Sequence, residues 1–115
     1  MMKNYIFIIR GGDEIDSLKS PEEMQEHMQD WQKWMRNLAN QNKLIGGEPL
    51  QKEAKSIIES GKKIVDRPLA EGKELVGGYI LIKADSLNEA TTLATGCPGF
   101  DHNCTIEIRE IMPMH

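Results

Sequence analysis

A chain of 115 residues, 39% of them hydrophobic, supports one domain with one core over residues 1–115 and leaves no room for a separate catalytic domain. A formal net charge of −4, with acids and bases interspersed, argues against a nucleic-acid footprint and against a basic membrane-docking surface. No apolar run approaches membrane-spanning length, no signal-peptide pattern opens the chain, and Cys97 and Cys104 lack CxxC spacing, so a cytoplasmic protein with free thiols is expected.

Lys3 to Arg10 is rich in β-branched and aromatic residues and ends at Gly11-Gly12, so it reads as a strand. Ile6 and Ile8 point to one face while Tyr5, Phe7 and Ile9 point to the other, which requires cover on both. After a polar loop, Ser20-Pro21-Glu22-Glu23 combines an N-cap serine, a proline at the first helical position and a capping-box glutamate. Met24, Met28, Trp31, Met35 and Leu38 then recur at spacings of three and four, an apolar stripe expected to lie on the sheet until the helix ends near Asn40 to Asn42. In this phase Trp31 belongs to the core, and Trp34 lies nearer a pocket rim beside His27.

Leu44-Ile45 before Gly46-Gly47 suggests a bulged second strand that ends by Leu50, with Pro49 near the edge. Lys55 to Glu59 and Lys62 to Val65, separated by Ser60-Gly61, read as an inserted β-hairpin. Leu75 to Ala84 is a strand with apolar residues on both faces, and Ser86-Leu87-Asn88-Glu89 opens a second helix that Gly96-Cys97-Pro98-Gly99 stops. In the last strand, Asn103 to Ile111, Cys104, Ile106 and Ile108 alternate with Thr105, Glu107 and Arg109. The order is that of a ferredoxin-like split βαβ α+β fold with both helices on one face of an antiparallel sheet. The uncovered face is expected to be apolar at Tyr5, Phe7 and Ile9 and polar at Glu107 and Arg109, and to pack on a second copy around a partly polar cavity, giving a homodimer.

His27 has Trp31 and Trp34 at i+4 and i+7, beside the stripe. It reads either as a general acid or base tuned by partial burial or as a boundary histidine bonded to backbone or water. Asp101, Asp66 and Glu48 are the carboxylates that could serve it, although an aspartate just ahead of Arg67-Pro68 also fixes turns. Trp34, Glu48, Tyr79 and Arg109 are the candidate ligand contacts. Gly77-Gly78 precedes no helix, so it is no phosphate loop and instead lets a backbone or ligand approach the sheet. His102, Asp101, Cys97 and Cys104 match no zinc spacing, and no metal or cofactor is expected. A thiolate at Cys97, past a helix C-terminus, would meet the unfavourable end of the dipole.

Asp66-Arg67-Pro68-Leu69-Ala70-Glu71-Gly72-Lys73-Glu74, together with Gly46-Gly47-Glu48-Pro49-Leu50 upstream, resembles the YCII-related (DGPF) family, whose usual pattern is Asp-Gly-Pro-Phe-Ala-Glu-x-Lys-Glu. Here Arg67 and Leu69 replace the glycine and the phenylalanine. The resemblance implies a dimeric α+β barrel and a functional histidine near His27 on the first helix. In the family a proposed histidine–aspartate pair draws its aspartate from an Asp-Pro step after the second helix; this chain has Cys97-Pro98 there, so the pair does not carry over whole. Two functions follow: a small-molecule enzyme or ligand-binding protein, with a cavity between sheet and first helix closed by the hairpin, or a non-enzymatic regulatory module like the domains of this family fused to extracytoplasmic-function sigma factors. A concave pocket containing His27 favours the first, a filled interior the second.

Overall fold

Alternation of side chains along Lys3–Arg10 builds the central strand β1, with residues 5, 7 and 9 buried and 6, 8 and 10 half-buried. A computed structural model describes residues 1–11 and 20–114; the expected polar loop and Gly12 lie outside the described residues. The helix α1, Pro21–Asn40, begins where its sequence signal says, with Ser20 Oγ accepting from the Glu23 amide at 3.1 Å. β2 (Leu44–Pro49) follows, then the hairpin strands β3 (Ser56–Ile58) and β4 (Lys63–Val65), then β5 (Val76–Ala84), α2 (Leu87–Ala94) and β6 (Thr105–Glu110). α2 repeats the cap, Ser86 Oγ accepting from the Glu89 amide at 3.1 Å. The hairpin turn is longer than a two-residue Ser-Gly turn: Ile58 pairs with Lys63, and Glu59, Ser60 and Gly61 all take positive φ.

The four long strands form an antiparallel sheet in the order β2-β5-β1-β6, and β3-β4 forms a separate two-stranded sheet. The architecture is therefore α+β, with two helices, a four-stranded antiparallel sheet and a small hairpin sheet. β2 is an edge strand whose register with β5 shifts between Leu44 and Gly46, the bulge that the glycine pair signalled. A Cβ at Gly47 would fall 2.6 Å from the Tyr79 carbonyl oxygen, so only glycine lets the bulged strand lie this close to β5. No helix among the described residues is long and apolar enough to cross a membrane.

Two expectations about facing change. Tyr5, Phe7 and Ile9 are 1%, 0% and 6% exposed and belong to the core with Ile80, Ile82, Leu38 and Ala90, so they face the helices and not a partner. The face that the helices leave open carries Ile6 opposite Leu81 and Arg109, and Ile8 opposite Tyr79 and Glu107. Glu107 and Arg109 thus share a face with Ile6 and Ile8, because residues paired across a ladder point the same way. The phase of α1 is also rotated: its buried residues are His27, Trp34 and Leu38, whereas Trp31 and Met35 are partly buried and Met28 is 54% exposed. Trp34 wins the core position because its ring stacks on Phe7, centroids 6.3 Å apart, and its Nε1–H donates to the Leu93 carbonyl at 3.4 Å.

Candidate functional site

The methionine stripe of α1 does not close onto the sheet. Met24, Met28, Trp31 and Met35 instead form one wall of a cleft of about 780 Å³, whose floor is Ile9, Gly47, Pro49, Gly78 and Ile80, with Cys104 at one end. Gly47 and Gly78 fall on the helix-facing rows of β2 and β5, where side chains would otherwise fill the gap beneath α1. Glycines at helix-facing positions of two adjacent strands, opposite unbranched thioethers that adapt to irregular shapes, leave an apolar hollow at the β2 edge. Its volume lies within the roughly 300–1,000 Å³ of small-molecule sites. None of the hairpin's residues lines it.

His27 sits at the inner end of this wall, 8% exposed. Trp31 Nε1–H donates to His27 Nε2 at 2.9 Å, one helical turn on. An accepting Nε2 carries no proton, so the ring is neutral with its proton on Nδ1. The His102 ring meets it edge-on, centroids 4.5 Å apart. Burial holds the His27 pKa below its ordinary value; the neighbouring His102 lowers it further, against weaker upward pulls from Asp30 and Asp101. Gly99 makes room for this arrangement, since a Cβ there would lie 2.9 Å from Cys104 Sγ and 3.3 Å from the Trp31 ring.

Of the residues singled out from sequence, His27, Glu48 and Tyr79 border this cleft. Glu48 and Tyr79 pair with each other in the row that continues to Ile8 and Glu107, so their side chains belong to the uncovered sheet face and they meet the cleft along the strand edge. Arg109 lies on that same uncovered face, opposite Ile6. Trp34 and Asp101 border a second, more polar cleft of about 800 Å³ between α1 and the turn after α2, with Lys33, Asn37 and Phe100. Asp66 lies in the bend just after β4, largely exposed and paired with Lys55 at 3.0 Å; it lines neither cleft. Sequence reasoning passed over the methionines as packing residues and His102 as an unmatched zinc ligand. The signal available was three methionines and a tryptophan on one helix face, opposite two glycine pairs.

Both cysteines are free and buried, and burial pushes the Cys97 thiol up to about 12 and raises that of Cys104. Neither offers a thiolate at neutral pH. What the site can do is enclose an apolar group beside a neutral imidazole. No curated protein matches the chain. The YCII-related domain, however, matches residues 4–115, which contain both helices, all of the sheet but Lys3, and the cleft, and the chain accordingly belongs to the YCII-related domain family.

Proposed function

We propose that this YCII-related protein binds a small apolar molecule in the cleft between α1 and the β2–β5 edge, and that it works as a homodimer in the cytoplasm. The carrying observation is the cleft itself: about 780 Å³, walled by Met24, Met28, Trp31 and Met35 and floored by glycine. An open hollow beside His27 favours this reading over a regulatory module with a filled interior. Within it, the neutral His27 holds the Trp31 indole in the cleft wall. Acid–base chemistry at His27 would first have to release Nε2 from Trp31, and Asp101 is one of the carboxylates within electrostatic reach, so binding is the better-supported role.

The homodimer reading rests on the uncovered face, where Ile6, Ile8, Tyr79 and Leu81 form an apolar centre bordered by Arg10, Glu107 and Arg109. A two-layer molecule leaves such a face to solvent unless a second copy covers it. Glu48, Tyr79 and Arg109 would then line a partly polar space between the two sheets.

The test is uptake of N-phenyl-1-naphthylamine, a neutral probe that fluoresces in apolar sites. Met28 is exposed enough for a charge to be tolerated, so Met28→Glu should fold normally and weaken uptake about tenfold, the order expected when a carboxylate enters an apolar contact. Undiminished binding by this variant would rule the cleft out.

A further inference from the structure

The cleft wall is apolar along most of its length and ends in a cation. Met28, Gln32 and Arg36 follow at intervals of four residues along the edge of α1, and all three border the cleft. Arg36 also borders the second cleft, so it stands on the ridge between the two. Among the described residues its guanidinium makes no hydrogen bond or ion pair. Arg10, by contrast, is held by Glu107 at 3.2 Å and by the Glu74 carbonyl at 3.3 Å. Glu48, the acidic residue in the cleft lining, belongs by register to the opposite face of β2.

Resting on the reading of this cleft as a small-molecule site, we infer that its ligand is an amphipathic carboxylate, with the apolar body laid along Met28, Trp31 and Met35 and the carboxylate on Arg36. A guanidinium offers a fork of donors matched to the two oxygens of a carboxylate, which an alcohol or amide cannot use. Met28 and Arg36 are eight residues apart, about 12 Å along the helix at ~1.5 Å per residue, so the body is a chain of about eight carbons or a ring system of that length. Gln32, between them, supplies a neutral donor partway along. The chemistry assigned is therefore a medium-chain or arylalkyl carboxylic acid, and not a neutral alcohol, an amide or a dication.

Octanoate and 1-octanol, which share a body and differ in the head group, separate this inference from the reading beneath it. Calorimetric or fluorescence titration of the full chain should show octanoate binding about tenfold tighter than 1-octanol, a preference that falls to about twofold in Arg36→Gln and to an intermediate value in Arg36→Lys, which keeps the charge and loses the fork. If 1-octanol binds as well as octanoate, or if Arg36→Gln keeps the tenfold preference, the carboxylate assignment is overturned while the apolar cleft stands. If neither compound binds at millimolar concentration, the ligand site itself is refuted along with it. Arg36 is exposed on α1, so its variants should melt with the wild type.

Discussion

Truncating the two tryptophans of α1 separates its core from its cleft. Trp34 is 7% exposed, stacked on Phe7 and in edge contact with Trp31 at 5.5 Å, so Trp34→Ala opens a cavity in the core. Such truncations cost about 3–5 kcal/mol, and for a domain of this size each kcal/mol lowers the melting temperature by roughly 3–5 °C, so a fall on the order of 10–20 °C is expected. Trp31 is partly buried and faces a hollow that already exists; Trp31→Ala removes less contact and frees His27 Nε2 to bond water, at a cost of about 1–3 kcal/mol. Probe binding should rank the variants oppositely, with Trp31→Ala losing more. Urea and thermal denaturation of both variants decide the matter. A Trp31→Ala loss equal to or larger than the Trp34→Ala loss would refute the helix phase and, with it, the assignment of Trp31 to the cleft wall.

The remaining predictions concern the imidazole, the glycine beneath it and the open sheet face. His27 should titrate below its ordinary 6.5 by NMR, with the Trp31 indole proton shifting at the same midpoint; because the folded value is depressed, the associated stability is present above 6.5 and lost as pH falls through the folded value, and a midpoint at or above 6.5 would contradict the neutral, tryptophan-bonded ring. Gly99→Ala presses a methyl into Cys104 and Trp31 and should cost on the order of 1–3 kcal/mol in chemical denaturation, whereas a neutral effect would mean that this contact is loose. Ile8→Asp should convert a dimer to a monomer in sedimentation with little change in monomer fold, while Phe7→Asp, aimed at a core residue, should unfold the chain; a wild type that sediments as a monomer at micromolar concentration ends the homodimer proposal.

The fold was legible because its signals are local. Ser20-Pro21 and Ser86 cap helices by contacts within four residues, and the alternation in Cys104 to Arg109 survives intact in β6. The bulge at β2 followed from glycine and proline alone. Facing was not legible in the same way. β1 is apolar on both sides, so sequence could not say whether Phe7 or Ile8 meets the helices; that choice is made by the packing of Trp34 against Phe7 across the layer. The helix phase failed for a related reason: a stripe of methionines reads as core, and whether it packs or leaves a hollow depends on the residues opposite, here Gly47 and Gly78 from two different strands. His27 stands out in the sequence, but its partners, Trp31 through a hydrogen bond and His102 through a ring contact, depend on three-dimensional placement. By sequence Asp66 suits either a site or a turn, and the structure puts it in the bend just after β4, paired with Lys55.

The most direct test of the ligand cleft is a methyl spectrum of protein labelled at its seven methionines, recorded with and without octanoate and N-phenyl-1-naphthylamine. Met24, Met28 and Met35 line the cleft, whereas Met1, Met2, Met112 and Met114 are exposed at the chain ends. Saturable shifts of the first three methyls with either compound, and unmoved signals from the other four, are expected. Shifts confined to the terminal methionines, or none at saturating probe, would contradict the ligand cleft.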